Sequence, residues 1–369
     1  MLRSLIAACL LLCSTRALEG AQLIEMTVGK KVIVGRELIR NEMQVVMMGQ
    51  DGRVTLVEPN KIVKRSKSLG EFRPWPGTVV RDRLLRELGS GYAAANTRHY
   101  IVAARNSKLA ERYAKIFEQT YLAVHQYFAV RGVKQTEPEF MMVAIVFPNH
   151  AAFAKYSAND EVTASRGLQG YYHNLSNRVA LFEDQANTAE ADIDLEADDD
   201  FAWLSISGNN RNTVIHEATH QVAFNTGLHR RLGSNPKWLV EGLATVFENS
   251  GIRNAGTTAS NRINPERFVW FGSYKQQRRK PKSLASVITS DALFEANALD
   301  AYSEGWALSF YLMETRSRDY SKYLSAVARR DQFSEYTPQQ KLADFQAAFG
   351  KDMGLLEAQY LRFISGLKK

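Results

Sequence analysis

Along the chain the spacing of apolar positions changes character more than once. From Ile24 to about Arg65 they fall in short strand-like runs, KKVIVGREL, MQVVMMG, RVTLVE and NKIVKR. Between the second and third runs stands Gln50-Asp51-Gly52-Arg53, which predicts a hairpin because glycine accepts the positive φ that a tight turn demands. Strands this short and this closely spaced predict a small SH3-like β-barrel over residues 22–68. KSLGEFRPWPGTVV, with Pro74 and Pro76, breaks the pattern, and residues 69–97 read as a linker.

Beyond the linker the period alternates. RHYIVAA (98–104) has strand character. SKLAERYAKIFEQTYLAVHQYFAVRG (107–132) carries apolar residues at three- and four-residue spacing and stops at Gly132, as an amphipathic helix does. EFMMVAIVF (139–147) is a continuous apolar run suited to a buried strand, and NHAAFAKYSA is a short helix. GYYH and RVALFE flank Asn174-Leu175-Ser176-Asn177 as a second hairpin. From Arg211 onward nearly every segment has the helical period. The fold class is therefore α+β, with a mixed αβ half leading into a helical half across residues 98–369.

A chain of 369 residues, 45% hydrophobic and 23% charged, is long enough to bury a core in more than one domain. Residues 1–21 join Arg3, an apolar run from Leu5 to Leu12, and small residues around Thr15 and Ala17, the pattern of a cleavable signal peptide. That run is far short of the roughly 20 residues that span a bilayer. The expected product is exported, periplasmic or extracellular, with no transmembrane segment in the mature chain. Cys9 and Cys13 both lie in the removed segment, so neither disulfides nor thiolate ligands are available. A cut after Ala17 removes Arg3 and Arg16 and no acid, taking the net charge from +8 to +6. That mild basicity favours an anionic envelope component as a contact and is too diffuse to point to nucleic acid.

The chemistry concentrates in NTVIHEATHQVAFN, residues 212–225. At 100° per residue, His216 and His220 stand one turn apart on one helix face, so two imidazoles can take adjacent positions on a tetrahedral metal. Glu217 is offset to the side, where a general base reaches a water on that metal. The five-residue pattern alone arises by chance in on the order of one chain in a hundred, so a second segment has to carry weight. SNPKWLVEGLATVFENSG supplies it, with Asn235 as an N-cap, Pro236 at the first helical position and Gly251 past the end. Glu241 lies inside this helix, and Gly227 and Gly233 let the chain turn back so that the two helices lie together. Two histidines and a carboxylate leave one tetrahedral position open, the mark of a catalytic zinc site. Zinc brings the pKa of its water to about 7 and polarises a carbonyl, while Glu217 takes the proton; amide hydrolysis is the expected reaction.

HEATH followed by WLVEGLATVFE resembles the gluzincin metallopeptidases, and WLVEGLA is similar to the second-ligand-helix motif of the aminopeptidase N family. The stretch from about Tyr100 to Leu367 resembles a family of exported, uncharacterised peptidase-like proteins that share HEATHQ, a GYY…NRV hairpin, a helix like AYSEGWAL and a terminal segment like FQAAFGKDMGLLE (345–357). The resemblance implies a zincin-like domain over residues 98–369, Zn2+ held by His216, His220 and Glu241, and Glu217 as base. It also has departures. The G-A-M-E-N motif that recognises a free N-terminus is absent, and Thr245 stands where thermolysin-like enzymes place an aspartate four residues after the ligand glutamate. Another group must orient His216. The resemblance further implies that RVALFE is an edge strand pairing with extended substrate, which gives broad specificity. Tyr302, in AYSEGWALSFYLM, is the candidate to stabilise the oxyanion.

Elsewhere ADIDLEADDD (191–200) reads as a solvated acidic flap, since it lacks the glycine punctuation of an EF-hand loop. YKQQRRKPK (274–282) reads as an exposed basic loop. His99, His125, His150, His173 and His229 read as structural or exposed, with His229 set apart by its position between the two motif segments. The expected function is that of an exported zinc metallopeptidase, an endopeptidase acting on peptide or protein substrates. Two alternatives use the same residues: a non-catalytic envelope or surface binding protein that retains the zincin fold and binds through its barrel, and a zinc hydrolase of a non-peptide amide.

Overall fold

The computed structural model describes residues 21–165, 167–183, 208–254, 257–331 and 333–367. The expected export signal and the acidic run at 191–200 lie outside the described residues. The chain divides into two compact units, residues 1–50 with 54–74 and residues 51–53 with 75–369.

In the first unit β1 (Gln22–Val28), β2 (Lys31–Arg40), β3 (Val45–Met48), β4 (Val54–Val57) and β5 (Ile62–Glu71) form one antiparallel sheet in the order β4-β3-β2-β1-β5. Its core is Met26, Val45, Met47 and Val57, with Ile24, Val28, Ile33 and Ile62 packed against it. The hairpin falls where Gly52 was expected to allow it, at φ +81°. The barrel does not close, however. The 3-10 turn Pro59–Lys61 directs β5 across to β1, with three register shifts, instead of back along β4. Among the described residues β4 and β5 therefore remain the two free edges of an open sheet.

Residues 69–97 are largely structured where a linker was expected. β5 runs to Glu71, α1 (Gly77–Leu88) buries Val80 and Leu84 at an i, i+4 spacing, and β6 (Ala93–Asn96) joins the second sheet. The two prolines punctuate the chain, but TVVRDRLLREL after them keeps a helical stripe that the linker reading overlooked.

The second sheet has the order β6-β7-β8-β10-β9, built from β6, β7 (Tyr100–Ala104), β8 (Met142–Phe147), β9 (Gly170–His173) and β10 (Arg178–Phe182). β7, β8 and β10 run parallel, and the outer strands β6 and β9 run antiparallel to their neighbours. Both faces are covered, so the central strands are continuously apolar. Tyr100, Val102, Met142, Ala144, Val146, Val179 and Leu181 enter the larger core, with residues of α2 (Ser107–Ala129) and α4 (Gly208–Asn225). Ile101, Ala103, Val143, Ile145, Phe147 and Ala180 pack with α1 and α3 (His150–Ser157).

The helical half continues with α5 (Lys237–Phe247), α6 (Ser250–Arg253), α7 (Pro265–Gln277), α8 (Leu284–Thr289), α9 (Ala292–Ala296), α10 (Ala298–Thr315), α11 (Ser317–Ala328), α12 (Pro338–Phe349) and α13 (Met353–Gly366). α10 is buried along most of its length, its Asp300 and Glu304 included, as a helix threading a core must be, with buried charges paired. It crosses α5 at two glycines. A Cβ on Gly242 would stand 2.4 Å from the Gly305 carbonyl oxygen and 2.3 Å from Ser309 Oγ, so the backbones touch directly. Among the described residues no helix is long and apolar enough to cross a membrane. The basic run at 274–282 is not simply an exposed loop. Arg279 is buried against Glu304 (2.9 Å) and Glu357 (2.6 Å), and Arg278 pairs with Asp300 at 2.7 Å.

Candidate metal centre

α4 presents Val214, Ala218 and Val222 to the core at i, i+4, i+8. Gln221, fully buried, fixes its depth: its Nε2 donates to the carbonyls of Val143 (3.1 Å) and Asn177 (2.8 Å). One amide thereby ties the helix to strand β8 and to the hairpin turn before β10. Gly227 (φ +81°) ends α4 and Gly233 (φ +89°) turns the return loop. Asn235 does not cap α5. Its side chain instead bonds the amide (3.1 Å) and carbonyl (2.8 Å) of Arg230, closing that loop, and Pro236 stands at the helix start. The expected stop at Gly251 is also displaced, since Gly251 lies within α6.

These connections bring His216, His220 and Glu241 together. His216 Nε2 lies 3.0 Å from His220 Nε2 and 3.2 Å from Glu241 Oε2, and His220 Nε2 lies 3.3 Å from Glu241 Oε2. A tetrahedral ion with ligands at 2.0–2.1 Å needs ligand–ligand edges of about 3.3 Å. The triangle has that size, and the three residues could hold a metal ion. The electrostatics agree. Burial opposes protonation of His216, yet its hydrogen bonds to Glu241 and Glu248 hold its pKa well above 6.5. Burial would raise Glu241, but His220 and His216 outweigh it and hold the carboxyl well below the ordinary range. The pocket thus draws positive charge, and protons take the place a cation would occupy.

The group that orients His216 is Glu248, which the sequence reading missed. Its Oε1 accepts from His216 Nδ1 at 2.9 Å, so Nδ1 is committed to Glu248 and Nε2 is the nitrogen turned to the triangle, where a cation would replace its proton. Glu248 in turn accepts from Asn264 Nδ2 at 2.8 Å and lies 3.8 Å from Arg267. Thr245, four residues after Glu241, spends its hydroxyl on the Glu241 carbonyl at 2.8 Å.

Glu217 lies beside the triangle, its Oε2 accepting the backbone N–H of Tyr172 in β9 at 2.7 Å. That contact also corrects the expected edge strand. RVALF is β10, an interior strand, and GYYH, which is β9, forms the sheet edge beside α4. β9 begins with Gly170 because a Cβ there would stand 3.0 Å from Thr213 of α4. Periodicity alone does not rank two strands of one hairpin as inner and outer. Tyr302 is also brought to the site, its ring 6.0 Å from that of His216, with Phe294 against its other side and the Arg267 guanidinium 5.6 Å from its ring. The charge of Glu241, then burial, then Glu217 push its pKa up, so the hydroxyl keeps its proton and remains a donor. His229 is buried nearby, neutral, its pKa pushed down to about 3 by burial and by His220.

Among curated proteins none matches the chain. One family model, described as a protein of unknown function (DUF1570), matches residues 210–334, a span that contains His216, Glu217, His220, Glu241, Glu248 and Tyr302. The chain is thus similar, over its site-bearing helices, to a family whose own function is unassigned.

Proposed function

We propose that the protein is an exported zinc-dependent metallopeptidase of gluzincin type that cleaves internal bonds of peptide or protein substrates. The observation that carries this reading is the triangle of His216, His220 and Glu241, with edges of 3.0–3.3 Å and a glutamate beside it. Zinc, which His216, His220 and Glu241 would hold, would supply Lewis acidity to a bound carbonyl. Glu217, anchored by the Tyr172 amide, accepts a proton from the attacking water and returns it to the departing amine. Tyr302, kept protonated by its acidic neighbours, donates a hydrogen bond to the oxygen on which charge develops. β9, an outer strand adjoining Glu217, offers backbone groups to an extended peptide; pairing of that kind reads main chain and supports broad specificity. Export rests on the pattern of residues 1–21.

The test begins with metal content. The purified chain should hold about one zinc, and Glu241→Ala should lose or loosen it. Glu217→Gln should keep zinc and lose chelator-sensitive cleavage of an unstructured protein substrate. Undiminished cleavage by the Glu217→Gln chain would refute the mechanism.

A further inference from the structure

Where the chain turns from α4 to α5, a cavity of about 480 Å³ is lined by His229, Arg230, Arg231, Arg330, Asp331 and Phe333. Three guanidinium groups face a single carboxylate among these residues. Arg330 is matched by Asp344 outside the lining (2.5 and 2.8 Å), and Asp331 accepts the Phe333 amide at 3.0 Å. Arg230 and Arg231 are held differently. Arg230 donates to the carbonyls of Ser234 and Asp331, and Arg231 to those of Asn174, Leu175 and Gly52. Among the described residues neither forms an ion pair. Carbonyls fix the two side chains in place, and the carboxylates that act on them, Asp331 on Arg230 and Asp51 and Glu139 on Arg231, do so without forming an ion pair.

His229 lines the cavity and lies close enough to the metal centre to feel the charges of His220 and Glu241. It is 2% exposed, and its ring nitrogens have no side-chain partner among the described residues. Arg230 Nε is likewise buried and unpartnered. A buried polar atom left without a partner is costly, and this one belongs to a guanidinium that no carboxylate pairs directly. Guanidinium forks match carboxylates in geometry and charge.

We infer that this cavity receives a carboxylate of the substrate, either an acidic side chain or the C-terminal carboxylate of a bound peptide. The inference rests on the peptidase reading for what occupies the neighbouring centre, and it narrows that reading to substrates bearing negative charge near the cleaved bond.

The test uses the full chain carrying Glu217→Gln, incubated with zinc and titrated calorimetrically with N-acetylated peptides of one neutral sequence. One peptide is amidated, one has a free C-terminus, and a third set is amidated with a single aspartate walked along it. One carboxylate-bearing arm should bind about tenfold tighter than the neutral amide; the free-acid arm identifies the α-carboxylate as source and the aspartate arm the side chain. Arg230→Gln should reduce that preference to about twofold or less. Because Arg230 also braces its loop, His229→Leu is measured beside it: that variant should melt no lower than the parent and still lose about threefold of the preference. Equal binding of all the peptides, binding by none, or a preference that survives His229→Leu and any folded Arg230→Gln chain overturns the inference. Cleavage by the unsubstituted chain alongside equal binding would leave the peptidase reading intact. Carboxylate preference with no cleavage of any peptide would leave the cavity assignment standing and remove the peptidase reading.

Discussion

Glu248→Ala tests a residue that stays outside the triangle and still sets its geometry. In the native chain one oxygen of Glu248 accepts His216 Nδ1–H (2.9 Å) and the other accepts Asn264 Nδ2 (2.8 Å), with the Glu248 side chain 5% exposed. Truncation leaves the buried His216 Nδ1–H without an acceptor, while Asn264 Nδ2 keeps the Thr245 carbonyl at 3.1 Å. At about 1–3 kcal/mol for one buried unpaired donor, the metal-free protein should lose about 1–3 kcal/mol of stability. Solvent screening gives little relief at this depth, and among the described residues Arg267 keeps only Glu266 as a counter-charge. Metal binding should weaken separately, because the proton on Nδ1 and the ring orientation are no longer fixed; the expected loss is about 10–100-fold. Glu248→Gln keeps an acceptor for Nδ1–H and removes only charge, so it should fall between the parent and Glu248→Ala. Competition against a chromophoric chelator gives the affinities, and circular dichroism melts of the metal-free chains establish the folded fraction. A folded Glu248→Ala chain with parental zinc affinity would refute the positioning role.

Other consequences can be measured on the same material. Gln221→Leu removes the amide's bonds to the Val143 and Asn177 carbonyls and should cost about 1–3 kcal/mol in all in chemical denaturation; an unchanged midpoint would mean the amide is not what seats α4. Gly242→Ala would force a Cβ to 2.3–2.4 Å from α10 and should destabilise by about 1–3 kcal/mol or more. Gly272→Ala, inside α7 with nothing within 4 Å of the added carbon, should stabilise by about 0.5–1 kcal/mol, and melting temperatures of the two variants should shift in opposite directions. Burial raises the Asp344 carboxyl, but Arg330 and Tyr336 outweigh it and hold it below its ordinary value. A depressed carboxyl contributes stability above its unfolded pKa of about 3.9 that disappears as pH falls through the folded value. Asp344→Asn should therefore melt lower than the parent at neutral pH, with the two curves converging below about pH 4; parallel curves would contradict the linkage.

The residues that carry the proposed chemistry were legible because helix geometry constrains them strongly. His216 and His220 are a turn apart whatever the surroundings, and Gly227 and Gly233 announced the return that brings Glu241 back. Glu248 was equally available: it lies seven residues, two full turns, after Glu241 on the same face. The resemblance points instead to the position four residues on, where Thr245 offers no carboxylate. The edge strand failed for a different reason. GYYH and RVALFE are both apolar and both beside α4, and which one is outer depends on β10 pairing with β8, a long-range choice that local pattern does not encode. The barrel reading identified the strands and the hairpin at Gly52, while closure depended on where the turn at 59–61 sends the last strand. Asn235 has a favoured capping residue type at a helix start, but its amide is recruited by the Arg230 backbone. The basic run at 274–282 looked solvated in sequence because Glu304 and Glu357, which neutralise Arg279, lie 25 and 78 positions away.

The glycine crossing of α5 and α10 also determines how the site can move. Side chains between two helices act as a compliant layer that lets one slide or tilt against the other; at Gly242 and Gly305 that layer is missing. The two helices consequently behave as a single lever, with Glu241 immediately before one glycine and Tyr302 one turn before the other. The histidines belong to the opposite jaw, seated on the sheet through Gln221. The turn over residues 226–236, where Gly227 and Gly233 occupy backbone conformations that favour glycine, joins the two jaws. Glu241 and Tyr302 thus keep a fixed mutual spacing, and the Glu248 bond to His216 and the seating of α4 set their distance from the histidines.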